Sequence, residues 1–211
     1  MLDVHPPHEP VHGWRDFLLH LLTITVGLLI ALGLEATVEA LHHRHLAAEA
    51  RENIRHEIEA NEAHAGANLV AIEREVVAMK TNIETVRGLR DHVETHGRTD
   101  LHFEFSWASF DESAWRTARD TGALTHMPTA EVQRYADAYV QQGIANQQAL
   151  EVLNQQQTIA APLMLEASPS QLAPADLHGL MLQAAVVDLR LQGLGQTIKD
   201  LRGAYAEVLR K

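Results

Sequence analysis

Hydrophobic and polar positions follow three rhythms along this chain, and each predicts a different kind of helix. The first is unbroken. From Phe17 to Leu34 the sequence reads FLLHLLTITVGLLIALGL, without a formal charge between Asp16 and Glu35. A helix of this length rises about 27 Å, close to the hydrocarbon thickness of a bilayer. Twelve of its eighteen residues are Leu, Ile, Val or Phe, each favouring insertion by about 0.3–0.6 kcal/mol. That sum offsets His20, Thr23, Thr25 and the two glycines, so residues 17–34 are predicted to span a membrane. A signal-peptide core and a buried globular helix are the alternatives. Ala31 and Gly33 supply a small-residue pattern for cleavage, but the run is long for a leader and the helical pattern continues past it.

The second rhythm is a 3-4 repeat. It reads Ala65, Leu69, Ile72, Val76, Met79, Ile83 and Val86, passes Arg90 out of type, reaches Val93, and extends back through Glu62 to Ile58. This is a coiled-coil period. No breaker separates it from the apolar run, so one long helix is predicted to about His96, with Gly66 and Gly88 as bends and Gly97 as its cap. Its part beyond the apolar run would rise roughly 90 Å if straight. The repeat returns near the C-terminus as Leu177, Leu180, Ala184, Val187, Leu191, Leu194, Ile198, Leu201, Tyr205 and Val208, opened by Pro174.

The third rhythm is weak. Thr129 after Pro128 caps a helix expected to run to about Ala160, until Pro162 kinks or ends it. Val132, Tyr135, Tyr139, Leu150 and Leu153 mark its apolar face, interleaved with Gln141, Gln142, Asn146 and several later glutamines that include Gln156. Most of these amides are expected in solvent. Ser168 to Pro174 reads as a loop.

Between the helices lies a concentration of aromatics: Phe103, Phe105, Trp107, Phe110 and Trp115. LHFEFSW alternates and predicts a short extended piece. Asp111 is the expected N-cap of a short helix closed by Gly122. The cluster reads as a hydrophobic plug at the open end of a bundle, or as a partner or ligand site, since aromatic anchors dominate interface hot spots.

These rhythms predict an all-α protein: a transmembrane helix continuing into a long helix, packed in an elongated antiparallel three- to four-helix bundle. The expected segments are a His/Pro-rich tail (1–16), the span (17–34), the long helix (35–96), the aromatic-rich loop and short helix (97–128), and two further bundle helices (129–211).

Charge and composition narrow the function. The formal net charge is −11, which leaves no basic patch for nucleic acid and serves anionic lipid headgroups poorly. Without cysteine there is no disulfide, thiolate metal site or cysteine nucleophile. The fourteen histidines read as wet-surface composition; metal binding or pH sensing is the alternative. His42 with His45, and His92 with His96, each place two imidazoles one helical turn apart. His92 and His96 have no third ligand near them in sequence. The His42–His45 cluster reads as solvated at the membrane interface, with zinc binding or a pH response by several copies in an oligomer as the alternative. Both are weak metal candidates, and no cofactor is expected. HExxH, GxSxG, P-loop and GxGxxG patterns are missing from the sequence, and the protein is expected not to be an enzyme.

Within the apolar run, Asp16, His20, Thr23, Gly27, Ala31, Glu35 and Glu39 form one stripe. Small residues one turn apart let helix backbones approach closely, so His20, Thr23, Gly27, Ala31 and Glu35 are the predicted oligomer-packing face. Trp14 and Arg15 suit the headgroup level. Arg44, Arg51 and Arg55 follow the run against Arg15 before it, a count that favours a cytoplasmic C-terminal domain. Bacterial single-span anchors with short N-terminal tails usually keep the tail inside, and on that ground the bundle is expected in the periplasm.

TITVGLLIALGLEATVE, then ARENIRHEIEANE, then SAWRTARDTGALTHM resemble uncharacterised bacterial inner-membrane proteins. These carry an IGxxIAL-type N-terminal anchor, a helical extension and a later SAW segment ending in Gly. The resemblance covers less than half of the chain. It implies a single-pass helical protein and transfers no catalytic residue. The expected role is a non-enzymatic, membrane-anchored oligomeric scaffold or interaction partner. It touches lipid through residues 17–34, binds an unidentified protein, and does not bind nucleic acid. The alternative is a periplasmic sensor or ligand-binding module for a small molecule, pH or metal.

Overall fold

A computed structural model describes residues 13–91, 100–165 and 169–210. The fold is all-α. Its helices are α1 (Trp14–Arg90), α2 (Ser113–Asp120), α3 (Thr129–Leu165) and α4 (Pro174–Leu209), with 3-10 turns at Ala123–His126 and Pro169–Gln171. The chain divides into two compact units, residues 1–48 and 49–211.

Over residues 17–34 of the first unit, α1 presents its apolar residues outward on every side. Phe17 is 60% exposed, Leu19 60%, Leu29 62% and Ile30 67%. None of the apolar window is buried. The predicted tail lies almost wholly outside the described residues, as do His92, His96, Val93 and the Gly97 cap.

In the second unit, α1, α3 and α4 share one core. Contacts between α1 and α3 rise together along both helices: Arg51 with Glu131, Glu57 with Tyr139, Asn61 with Gln142, Glu75 with Gln156. These two helices are therefore parallel. Contacts to α4 run the other way: Glu62 with Arg202, Glu151 with Arg190, and Gln142 with Tyr205. The Cβ position of Gly195 lies 3.5 Å from Ile72 Cγ2, so a close approach of α1 and α4 is built on a residue without a side chain. An all-antiparallel bundle is thus replaced by two parallel helices facing one antiparallel helix. The reason is the segment from Asp100 to Glu112, which carries the chain back along α1 before α3 begins.

The α4 repeat is buried at every expected position except Val208, which is half-buried. On α1 the expected seam is half right. Ile58, Ala65, Ile72, Met79 and Val86 are buried, but their heptad partners are Ile54, Asn61, Asn68, Glu75 and Asn82, not Leu69, Val76 and Ile83. Helix α1 runs through Gly66 and Gly88 without a break, and α3 runs through Pro162 to Leu165. A proline this close to a helix end forfeits one backbone bond and leaves the other turns intact. Two α3 amides expected in solvent, Gln142 and Gln156, are buried, whereas Leu150 is 59% exposed.

Candidate functional site

The buried polar residues of α1 recur every seven positions: Asn61, Asn68, Glu75, Asn82. Each asparagine grips one residue of the returning segment by its backbone. Asn82 Nδ2 donates to the His102 carbonyl at 2.7 Å, and the His102 N–H donates to Asn82 Oδ1 at 3.0 Å. Asn68 does the same for Ala108, at 2.9 Å both ways. Asn61 does it for Asp111, at 2.8 and 2.9 Å. A carboxamide carries one donor group and one acceptor, which match a peptide's carbonyl and N–H.

The spacing of these rungs follows from chain geometry. Seven helical residues rise about 10.5 Å. Three extended residues span about 10 Å. Asn61 and Asn68 are seven apart and hold Asp111 and Ala108, three apart; Asn82, fourteen beyond Asn68, holds His102, six before Ala108. A straight extended strap and a straight helix therefore stay in register over the whole ladder. The strap carries no regular secondary structure, and at His102, Ala108 and Asp111 its backbone polar groups are satisfied by side chains instead, which burial requires.

Glu75 fills the remaining rung. It is 3% exposed, accepts from Gln156 Nε2, and accepts from the Glu104 N–H. Burial raises its pKa above the usual carboxylate range, against the lowering effect of those two hydrogen bonds.

The strap also carries the predicted aromatic site. Phe105 and Phe110 are buried, and Phe103 and Trp107 are half-buried. Trp107 meets Phe110 edge-on at 5.5 Å, and Phe110 meets Tyr205 of α4 at 6.4 Å. Trp107 Nε1 donates to Asn146 of α3 at 3.0 Å. These rings lie along the helices rather than plugging one end of them. Trp115, on α2, belongs to a separate group: it stacks on Tyr139 at 5.2 Å and meets Tyr135 at 6.4 Å.

Where the strap ends, Glu57 of α1 takes over. Its carboxylate accepts from Ser113 Oγ at 2.8 Å, the Ala114 N–H at 2.7 Å and Tyr139 Oη at 2.6 Å. It thus caps α2 from another helix, the position where a negative charge is favoured. This corrects the expectation for Asp111. Its backbone is held by Asn61 and Gln142, and the residue preceding α2, Glu112, makes no side-chain cap. Burial, then the bond to Glu57, pushes the Tyr139 hydroxyl upward. Burial also raises Tyr205. Tyr135, buried and bonded to Glu131, is pushed up to about 12. Glu131 is held below the usual carboxylate range by its bond to Arg51, and Arg51 is raised in turn.

Beside the strap end lies a cleft of about 520 Å³, lined by residues that include Asp111, Arg116, Asp120, Gly143 and Asn146. Its volume is that of a small-molecule site, but its lining mixes both charges.

The predicted oligomer face, His20, Thr23, Gly27, Ala31 and Glu35, lies exposed on the first unit. The polar side chains of the apolar run turn to their own helix. His20 Nδ1 lies 2.8 Å from the Asp16 carbonyl, and Thr23 and Thr25 donate to the Leu19 and Leu21 carbonyls at 2.8 Å. His42 and His45 are also exposed. Among the described residues no three His, Cys, Asp or Glu side chains are placed to hold a metal.

No family model, curated protein or solved structure matches the chain. Hydrophobic periodicity passes over the ladder, because it registers apolar positions and gives no weight to Asn61, Asn68 and Asn82. Their seven-residue spacing was the available signal.

Proposed function

We propose that this is a membrane-anchored, non-enzymatic helical protein that serves as a scaffold or interaction partner at a bacterial inner membrane. The observation that carries this reading is the outward-facing apolar surface of residues 17–34. A water-soluble surface does not sustain so large a contiguous apolar patch. The internal bonds of His20, Thr23 and Thr25 add support, because lipid offers polar groups no partner. The resemblance of the anchor and of residues 113–127 to single-pass inner-membrane proteins points the same way.

In this reading the span stays uncleaved, and Thr23, Gly27 and Ala31 pack against a second copy. The second unit stands in the periplasm as the interaction module. Polar groups along the strap support a non-catalytic role: buried Asn61, Asn68 and Asn82 and half-buried Glu57 are spent on holding the strap and capping α2. Alkaline carbonate extraction of native membranes tests the anchor. The protein should remain in the pellet with residues 1–34 present by intact mass. A soluble product beginning near Leu34 would overturn the reading.

A further inference from the structure

We propose that Glu75 is an ionisable rung that makes the hold on residues 102–111 depend on pH, tight when its carboxyl is protonated and weaker when it is ionised. The inference concerns the second unit alone and stands whatever role the apolar run plays.

The argument rests on the register of the ladder. At Asn61, Asn68 and Asn82 the helix offers the strap a donor and an acceptor together. An ionised carboxylate offers only acceptors. Glu75 in that state can take the Glu104 N–H and the Gln156 amide but can give nothing to a strap carbonyl. A protonated carboxyl has both an O–H and a free oxygen, the donor and acceptor that an asparagine brings to the other rungs. At 3% exposure, water cannot compensate the charge, so the ionised state is costly in place.

The surroundings leave that cost uncancelled. The strap brings two titratable groups: Glu104, which disfavours a second negative charge, and His102, which opposes that effect when protonated. From α3 the rung meets the neutral amide of Gln156. On the nearby turns of α3 and α4, Glu151 pairs with Arg190, Gln192 donates to Asp188 Oδ2 while Asp188 Oδ1 has no partner among the described residues, and Lys199 lines a cleft with Glu73 and Val76. On α1 itself, Glu73 and Arg74 are exposed. The raised carboxyl pKa agrees with this geometry. For an acid whose folded pKa is raised, the stabilising proton is held below the unfolded pKa. It is lost as pH climbs from the ordinary carboxyl range through the raised value.

The test compares the full-length chain with Glu75→Gln in detergent, from pH 5 to pH 9. Glutamine keeps the shape and remains a donor and acceptor at every pH. The melting midpoint of the variant should lie about 2–4 °C above the wild type at pH 8, and the gap should shrink toward pH 5. In the wild type, protection of the amides at residues 104–105 against hydrogen exchange should fall with pH, after correction for intrinsic rates and relative to the α4 amides. A gap that stays constant across pH, or a variant less stable throughout, overturns the proposal. If the variant does not fold, wild-type strap protection that tracks α4 at every pH overturns it as well.

Discussion

Helix α4 and the second-unit half of α1 keep the same 3-4 repeat and fill it with opposite chemistry. On α4 the seam is apolar from Leu177 to Leu201, and it packs against other helices. On α1 the apolar positions Ile58, Ala65, Ile72, Met79 and Val86 alternate with Asn61, Asn68, Glu75 and Asn82. The apolar half joins the helical core, and the polar half holds an extended chain. The difference shows what each kind of neighbour needs. A helix has already satisfied its own backbone and asks only for apolar contact. An extended strap arrives with unpaired N–H and C=O groups, and burying it requires side chains that complete them.

The largest effect is expected on the apolar side. Leu191 is fully buried, and Leu191→Ala should cost about 3 kcal/mol through lost transfer and a residual cavity. Urea unfolding would measure it, and strap and helices should lose protection together. Asn68→Ala should cost less, about 2 kcal/mol, because it leaves the Ala108 N–H and carbonyl without their partner. Here exchange should rise first at residues 106–110 while α4 stays protected. If Leu191→Ala and Asn68→Ala give the same exchange pattern, the two seams are not distinct.

The smallest effect is expected at Arg51 and Glu131, whose ion pair of 2.7 Å is partly exposed. Arg51→Ala should cost at most about 1 kcal/mol. The Glu131 pKa is lowered by Arg51. The stabilisation is therefore present above the ordinary carboxyl pKa and is lost as pH falls through the lowered value. A pH series of unfolding midpoints should show wild type and variant converging in acid. A difference unchanged by acid would show that the side chains contribute by packing alone.

Several features were legible without the structure. The outward apolar run was readable because continuous hydrophobicity needs no partner to be seen. The α4 seam was readable because every buried position is apolar. Gly122, with φ of 75°, closes the turn after α2 as expected, since a left-handed residue favours glycine. The α1 register slipped by one residue at Leu69, Val76 and Ile83, because hydrophobic periodicity gives weight to apolar neighbours and discounts buried asparagines. On α3 the same bias favoured exposed Leu150 over buried Gln142.

The sequence by itself determined that the chain is helical, where an apolar run could leave water, and which face of α4 is buried, because helix propensity and apolar spacing are local properties. Only the tertiary structure decided that α1 and α3 run parallel, that residues 102–111 lie extended against a ladder of side chains, and that Glu57 caps a helix 56 residues away. Those outcomes depend on which polar group meets which across the fold, and a buried asparagine looks the same in sequence as a solvated one until its partner is in place.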